Sequence, residues 1–308
     1  MDVASPAQQE ASGGMNPGLN SSRANADGAD FSSREFPMTA DDFRFIQRLA
    51  RERTGIELGE HKREMIYSRI VRRIRALQLA TFRDYCDYLQ QNAASELTPF
   101  INAITTNLTA FFREPHHFEF LARTALPEIR KRNAGSRRIR IWSAGCSTGE
   151  EPYSIAMTLQ QHLGNERWDA RVLATDLDTN VLDHGRAGIY TRERVSGLAE
   201  DIVKKNFLVS RGKRSDEDRY QVKEPLRELI RFNQLNLLED WPMKGPFDVI
   251  FCRNVVIYFS KETQRGLFDR YADILAPDGY LFIGHSESLH GVSKRFQPIG
   301  RTIYRRTG

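Results

Sequence analysis

Residues 139–154, IRIWSAGCSTGEEPYS, most constrain the fold of this 308-residue chain. A short apolar run leads into glycines at positions 145 and 149, and an apolar pattern of helical period follows Pro152. Proline favours the first turn of a helix, where its missing N–H leaves no hydrogen bond unmade. The stretch therefore predicts a strand, a tight glycine turn and a helix, the repeating unit of an open α/β sheet.

The same turn predicts a ligand site. Gly145 and Gly149 let backbone approach a bound molecule where a Cβ atom would collide. Their spacing differs from the Gly-x-Gly-x-x-Gly of dinucleotide sites, and Glu150 and Glu151 stand where a pyrophosphate requires amide groups. These residues favour a nucleoside ligand that carries a cation. An ordinary glycine-rich turn without a ligand is the alternative.

Composition excludes several classes of protein. The net charge of +5 is compatible with an acidic partner but is too small to indicate a nucleic acid. No apolar run approaches the roughly 18–20 residues of a membrane span, and no secretory signal opens the chain. Three scattered cysteines predict a reducing cytoplasm, and seven scattered histidines predict no metal site.

Three regions follow one another along the chain. Residues 1–36 are rich in Ala, Ser, Asn, Gly and Asp and predict a disordered tail. Residues 37–117 show only helical periodicity and predict a small all-helical N-terminal domain. Thr39 predicts the N-cap of its first helix, and its last helix is predicted over residues 96–108.

From residue 118 to residue 308 the chain alternates strands and helices. This order predicts an α/β domain with a doubly wound, mostly parallel Rossmann-like sheet and an antiparallel hairpin at its C-terminal end. Strands are expected at residues 138–143, 171–175, 230–235, 248–252 and 280–284. The alternation breaks over residues 207–229, which predict a small antiparallel β-subdomain inserted in the sheet domain.

Ligands of open parallel sheets bind beyond the carboxyl ends of the strands. Asp176 ends the second strand, where a carboxylate can accept both hydroxyls of a ribose. Asn236 and Leu237 follow the third strand, and Cys252 and Arg253 follow the fourth. We expect these strand ends to meet in one crevice, with helix caps and ordinary turns as the alternative roles.

A polar and aromatic segment precedes the sheet domain. Asn107, Thr109 and Arg113 lie beside Phe111 and Phe112. Such a segment can cover a bound ligand as a lid. A helix end with two core phenylalanines is the alternative interpretation.

Six motifs occur in one order: TNLTAFFRE, WSAGCSTGEEPYSIAM, ATDLD, NLLE, GPFDVIFCRNVVIYF and LAPDGYLFIGHSES. Together they resemble the chemotaxis-receptor methyltransferases, the CheR family, over residues 38–306. The resemblance implies a class I methyltransferase fold and S-adenosyl-L-methionine as the cofactor, with S-adenosyl-L-homocysteine as its product. It also implies methylation of glutamate side chains on the cytoplasmic helical bundle of chemoreceptors.

The resemblance implies roles for individual residues. Asn107, Thr109 and Arg113 would contact the cofactor from the interdomain side. Glu151 would meet its methionine portion, where a carboxylate suits a cationic ammonium group. Arg113 and Tyr258 would stand closest to the transferred methyl group and the substrate carboxylate, as the catalytic pair.

The remaining cofactor contacts implied by the resemblance follow the strands. Asp176 would hold the ribose. Asn236 and Leu237 would frame the adenine, and Cys252 and Arg253 would line the other side.

Two surface features could take part in binding the receptor. Lys62, Arg69, Arg72 and Arg73 crowd one side of the second helix and are expected to dock on the acidic methylation region, with a solvated face as the alternative. Some family members also grip a peptide tether at the receptor's C-terminus through a glycine-rich hairpin loop. Here that loop reads GKRSDED, with one glycine. We therefore expect recognition through the methylation region rather than through a tether.

Other functions are weighed against this one. A methyltransferase of the same fold could act on a signalling protein outside chemotaxis, and a non-catalytic scaffold could bind receptors. The presence of Arg113, Glu151, Asp176 and Tyr258 argues against a scaffold, and the glycine spacing argues against a dehydrogenase. No general base is expected, because a glutamate carboxylate is already ionised at pH 7.

Overall fold

The computed structural model describes residues 34–164 and 166–307. Most of the predicted tail, residues 1–33, lies outside the described residues. The last residues of that predicted tail contact the helical region, where Arg34 bonds to Glu64 at 2.7 Å and Phe36 packs against the apolar core. Across the described ranges, no helix combines the length and apolar character needed to cross a bilayer.

Four α-helices and a short 3-10 turn at Glu60–Lys62 build the described part of the N-terminal region. The α-helices are α1 (Ala40–Thr54), α2 (Arg63–Ala76), α3 (Phe82–Gln91) and α4 (Ala93–Ile104). Thr39 caps α1 in a reciprocal capping box with Asp42, which confirms the predicted start of that helix. Ile66, Ile70 and Ile74 lie at helical spacing on α2 and are fully buried in the shared core. This apolar stripe holds the region together.

Helix α4 ends at Ile104, before its predicted end at Leu108. Thr105 adopts an extended conformation with ψ 151°. Its hydroxyl donates to Asp178 Oδ2 at 2.7 Å, and its carbonyl accepts from Arg69. These bonds to neighbouring elements replace the helical ones, so residues 105–109 run as an extended interdomain segment.

Seven strands form the main sheet in the order β6-β2-β1-β7-β8-β10-β9. They are β1 (Arg138–Ala144), β2 (Asp169–Asp176), β6 (Ile230–Gln234), β7 (Phe247–Cys252), β8 (Leu275–Ile283), β9 (Phe296–Gly300) and β10 (Ile303–Arg306). The first five strands of that order pair in parallel, and β10 pairs antiparallel with β8 and β9. The predicted Rossmann-like class with a C-terminal antiparallel hairpin is confirmed.

Helices cover both faces of this sheet. They are α5 (Pro115–Phe120), α6 (Leu126–Arg132), α7 (Glu150–Leu163), α8 (Thr179–Ala187) and α12 (Lys261–Ile274), and a π-helical turn over Leu121–Ala125 joins α5 to α6. Alternation along β1 sends Ile139 and Ile141 into one apolar cluster and Trp142 into the other. Two cores on opposite faces are what a doubly wound sheet requires.

A second, antiparallel sheet has the order β3-β5-β4. Its strands are β3 (Ile189–Thr191), β4 (Phe207–Ser210) and β5 (Arg219–Val222), accompanied by the short helices α9 (Arg192–Val195), α10 (Glu200–Asn206) and α11 (Glu224–Arg227). This sheet begins before the predicted range of residues 207–229. Strand β3 has only three residues, too few for an alternation to be visible in the sequence. Its buried Tyr190 donates to the Thr148 carbonyl at 2.8 Å and so anchors the small sheet to the glycine turn.

Candidate active site

An open cleft lies between the helical region and the carboxyl ends of β1, β2 and β7. Its position is the one that open parallel sheets use for ligands. Most of the residues predicted to form the site line this cleft. They are Asn107, Thr109, Arg113, Glu151, Asp176, Asn236, Leu237, Arg253 and Tyr258.

The two glycines of the turn between β1 and α7 serve different purposes. Both have positive φ angles, +90° at Gly145 and +99° at Gly149. Gly145 lines the cleft, and a Cβ there would lie 2.3 Å from Val255 Cγ2. A Cβ at Gly149 would lie 2.9 Å from Tyr190 Oη and 3.0 Å from Gly185 Cα in α8. Gly149 is therefore required for packing against α8 and the small sheet rather than for the approach of a ligand.

Glu151 belongs to a buried chain of charges. Its Oε1 accepts from the Ser143 hydroxyl at 2.7 Å, and its Oε2 accepts from Arg253 Nη1 at 2.9 Å. Arg253 Nη2 also lies 3.4 Å from Glu114 Oε2. Burial raises the pKa of Glu114, but Arg253 and two hydrogen bonds from His285 outweigh it and hold that pKa below its ordinary value. One guanidinium thus faces two carboxylates, and the excess negative charge favours a cationic ligand group.

Glu150, the other acid of the pair, does not line the cleft. It is fully buried, accepts from the Thr148 hydroxyl at 2.6 Å and lies 3.5 Å from Arg194 Nη1. Successive residues of a helix point in different directions, so α7 sends Glu151 to the cleft and Glu150 towards the small sheet. Of the two acids, only Glu151 is placed to meet a ligand in the cleft.

Asp176 closes the crevice at the end of β2. Its Oδ2 accepts from the Ser147 N–H at 2.8 Å and its Oδ1 from the Asp178 N–H at 3.0 Å. Burial raises the pKa of Asp176 to about 6, and these backbone bonds only partly offset that rise. The ionised carboxylate is therefore poorly compensated in this pocket, and hydroxyl donors from a ligand would stabilise it.

The interdomain segment is bonded to the sheet domain along its length. Asn107 Nδ2 donates to Asp178 Oδ2 at 2.8 Å, and the Asn107 carbonyl accepts from the Ser147 hydroxyl at 2.9 Å. Two residues on, the Thr109 carbonyl accepts from Arg194 Nη1 at 3.0 Å. Asn107 and Thr109 are thereby fixed at one wall of the cleft.

The next residues of the chain, Phe111 to Arg113, serve both roles considered for this segment, as part of the core and as a wall of the ligand cleft. Phe111 packs edge-on against Tyr190 with ring centroids 4.9 Å apart, as a core phenylalanine does. Arg113 lines the cleft and donates from Nη1 to the Leu108 carbonyl at 2.8 Å. The aromatic residue anchors the segment while its polar neighbours face the cavity.

Cations gather around Tyr258. Lys62 Nζ lies 4.4 Å from the centroid of its ring. Burial raises the pKa of Tyr258, and the positive charges of Arg113 and Arg69 oppose that rise. Burial and the charge of Arg69 also lower the pKa of Lys62. This positive rim suits an anionic substrate, and the sequence had indicated Lys62 only as a docking residue.

On the far wall of the cleft, the structure differs from the sequence prediction at one residue, Cys252. Asn236 Nδ2 donates to the Arg53 carbonyl at 2.9 Å, and Leu237 lies beside it on the cleft wall. Cys252 was predicted to contact the cofactor, but it does not line the cleft. Its thiol accepts from the Tyr271 hydroxyl at 3.2 Å in the apolar core beneath α12. Alternation along β7 turns this side chain to the opposite face of the sheet.

Glu287 is a residue that sequence reasoning missed. Its buried carboxylate accepts the backbone N–H groups of Asn254, Val255, Ile257 and Gly284, at 3.0, 2.9, 3.3 and 2.6 Å. Burial raises its pKa. It shapes the loop that carries Tyr258, and an acid between serines in GHSES gives no local signal of that role.

One group of described side chains has the spacing of metal ligands. Donor atoms of Glu114, His116 and His117 lie within 4.8 Å of one another. The Arg253 guanidinium already faces Glu114, and burial together with that charge lowers the pKa of His117 to about 3. A metal ion would be repelled by the guanidinium, so the group is better explained as a neutral histidine beside an ion pair.

Two protein-family profiles match the chain, the CheR methyltransferase all-alpha domain over residues 41–105 and the CheR methyltransferase SAM binding domain over residues 107–305. Chemotaxis protein methyltransferase 2 of Pseudomonas aeruginosa is 44% identical over 275 residues, 89% of this chain and 96% of that relative. The chemotaxis protein methyltransferase of Escherichia coli is 46% identical over 264 residues, 85% and 89% of the two chains. The enzyme of that name from Salmonella typhimurium is 46% identical over 264 residues, 85% and 88%. The chain therefore belongs to the CheR family and is a chemotaxis methyltransferase that uses S-adenosylmethionine.

Proposed function

We propose that this enzyme methylates glutamate side chains on the cytoplasmic helical bundle of chemoreceptors, forming glutamate methyl esters in sensory adaptation. The observation that carries the proposal is the charge pattern of one cleft. Glu151 and Glu114 share a single guanidinium, whereas cations surround Tyr258 at the rim. A cationic amino-acid nucleoside and an anionic side chain are the two ligands that such a cleft accommodates together.

The residues of the cleft fit the cofactor. Asp176 would accept the ribose hydroxyls, and Glu151 would pair with the methionine ammonium group. Asn236 and Leu237 would frame the adenine, while Asn107 and Thr109 would close the site from the helical side. When bound, S-adenosylmethionine supplies an activated methyl group.

The protein's own contribution to the reaction is positional. A substrate glutamate is ionised at neutral pH, so its oxygen would accept the methyl group without first losing a proton, and the sulfur of the cofactor would be the leaving group. The main contribution expected of the protein is to align the carboxylate oxygen, the methyl carbon and the sulfur for this displacement. Arg113 and Tyr258 would hold the carboxylate in line.

Arg113→Ala is expected to lower kcat by roughly 100-fold, because one misplaced reacting group costs about that much. Steady-state methyl transfer to a receptor bundle measures the effect. Arg123→Ala is the matched control, since Arg123 is an exposed arginine outside the cleft. A kcat near that of the wild type would contradict the role of Arg113.

Some of the cations on and just before α2 make structural bonds within the protein, and others are free to contact a receptor. Arg73 makes a two-bond ion pair with buried Glu96, at 2.9 and 2.7 Å, and so ties α2 to α4. Arg69 donates to the carbonyls of Ala103 and Thr105. Arg72 is exposed. We therefore assign receptor docking to Arg72 at the surface, with Lys62 at the cleft, and no docking role to Arg73.

Receptor methylation is expected to fall several-fold between about 50 and 300 mM salt, since screening weakens contacts between exposed charges. Affinity for S-adenosylhomocysteine should change little over the same range. Arg72→Glu should reproduce the loss at low salt. Lys244→Glu, just before β7 at the opposite end of the sheet, is the control. Methylation that is indifferent to salt would exclude docking through this surface.

The hairpin loop between β4 and β5 supports recognition without a receptor tether. Its polar groups bond to one another, since the Gly212 N–H donates to Asp218 Oδ1 at 3.1 Å and Arg214 pairs with Asp216 at 3.0 Å. These groups therefore already have partners within the loop. The methylation region is thus the expected point of contact.

A further inference from the structure

Asp178 lies where the helical region meets the sheet domain. Its side chain is buried, with the residue only 2% exposed. Its Oδ2 accepts two bonds from the interdomain segment, from the Thr105 hydroxyl at 2.7 Å and from Asn107 Nδ2 at 2.8 Å. One carboxylate oxygen therefore fixes two side chains that line the cleft.

The rest of Asp178 faces the sheet domain. Its Oδ1 accepts the Asn180 N–H at 2.9 Å and so caps α8. Its own N–H donates to Asp176 Oδ1 at 3.0 Å. A single residue thus bonds to the interdomain segment, to a helix end and to the carboxylate expected to hold the ribose.

We propose that Asp178 is a positioning residue that couples the placement of the interdomain segment to cofactor binding. The proposal rests on the proposed function, because it takes Asn107 and Asp176 as cofactor contacts. Charge-assisted bonds in a buried site are short and strong, and a donor left unpaired there is costly. Without the Asp178 acceptor, Thr105 and Asn107 lose the bonds that set their positions at the cleft wall.

Asp178→Asn separates this role from helix capping. Asparagine is as good an N-cap as aspartate, so its oxygen can keep the bond to Asn180. Its amide nitrogen then takes the place of Oδ2, where it cannot accept from the Asn107 amide and can only donate to the Thr105 hydroxyl. The variant keeps the start of α8 and loses the acceptor that holds Thr105 and Asn107 together.

A neighbouring pair provides the matched control. Asn102 on α4 donates to the Thr179 hydroxyl at 2.9 Å and accepts from the Thr179 N–H at 3.2 Å. This pair also joins α4 to α8, but neither residue lines the cleft. Asn102→Ala therefore removes an interdomain contact of similar kind and leaves the cofactor wall in place.

Calorimetric titration of the full chain with S-adenosylhomocysteine tests the proposal. For Asp178→Asn we expect Kd to rise about 10-fold, the equivalent of one charge-assisted hydrogen bond. The KM for S-adenosylmethionine should rise with it, while kcat changes less than about 3-fold. Asn102→Ala should lower the Tm and leave Kd unchanged.

Two further variants test the same bonds independently of how well Asp178→Asn folds. Thr105→Val removes one donor and leaves the cap intact, and its Kd should rise in the same direction even if Asp178→Asn folds poorly. Asn107→Ala combined with Asp178→Asn should be less than additive, because both remove the same bond. Unchanged Kd in Asp178→Asn and Thr105→Val would overturn the proposal. Failure of the wild type to bind S-adenosylhomocysteine would instead overturn the assignment of the cleft.

Discussion

Asp176→Asn is expected to weaken binding of S-adenosylhomocysteine by about 30- to 100-fold, the cost of losing a charged acceptor for ribose hydroxyls. The same variant should make the ligand-free protein more stable at pH 7, by about 1 kcal/mol. The two effects have one origin. Burial opposes the ionised carboxylate until a ligand donates to it.

The sign of the stability change follows from the pKa of Asp176. Burial raises that pKa to about 6 in the folded protein, against about 3.9 in an unfolded chain. The folded state therefore holds the proton more tightly, and stability falls as the pH rises from about 4 to about 6. Asparagine carries no charge and avoids this loss. It keeps only one oxygen for the two backbone N–H donors, which reduces the gain to about 1 kcal/mol.

Urea unfolding at pH 5 and pH 7, with calorimetry for the ligand, measures both effects. The advantage of Asp176→Asn should be larger at pH 7 than at pH 5. Asp183→Asn is the control, since Asp183 is an exposed carboxylate on α8 and should leave both quantities nearly unchanged. An Asp176→Asn protein that binds as the wild type does, or is less stable at pH 7, would contradict this explanation.

Arg253→Ala is expected to destabilise the fold by about 3–5 kcal/mol, because it leaves two buried carboxylates without their shared cation. The Arg253 side chain is 2% exposed and contacts Glu151 at 2.9 Å and Glu114 at 3.4 Å. It also donates to the Arg113 carbonyl. Removing it should therefore disturb the segment before α5 as well as the cleft.

Denaturant unfolding measures the free-energy change, and a second substitution identifies its cause. Glu114→Gln in the Arg253→Ala background should recover part of the loss, because it removes one of the stranded charges. Arg44→Ala serves as the surface control, since the pair of Arg44 with Asp41 is exposed and should be worth less than about 1 kcal/mol. A loss in Arg253→Ala no greater than in this control would show that the buried pair does not hold the site together.

The alternation of apolar strands and amphipathic helices was sufficient to predict the fold class. The spacing of apolar residues indicates which face of a helix is buried. In α2 the predicted residues Ile66, Ile70 and Ile74 are all fully buried. The carboxyl ends of parallel strands lie at one edge of the sheet, so the sequence alone predicts that Asp176 and Asn236 share one crevice.

Long-range polar bonds account for what the sequence could not show. The end of α4 depends on bonds from Thr105 to Asp178 and Arg69, which are distant in sequence. The partner of Arg73 is a glutamate on another helix, so its structural role is invisible in α2 alone. Cys252 ends a strand that is buried on both faces, where hydrophobicity does not indicate which face a side chain takes.

Transfer of a radiolabelled methyl group from S-adenosylmethionine to a chemoreceptor cytoplasmic bundle tests the central claim most directly. The account predicts label on glutamate side chains that is released by mild base, as expected of a methyl ester, and no transfer to a bundle whose target glutamates are replaced by alanine. Label that resists base, or label confined to proteins outside the receptor, would contradict it.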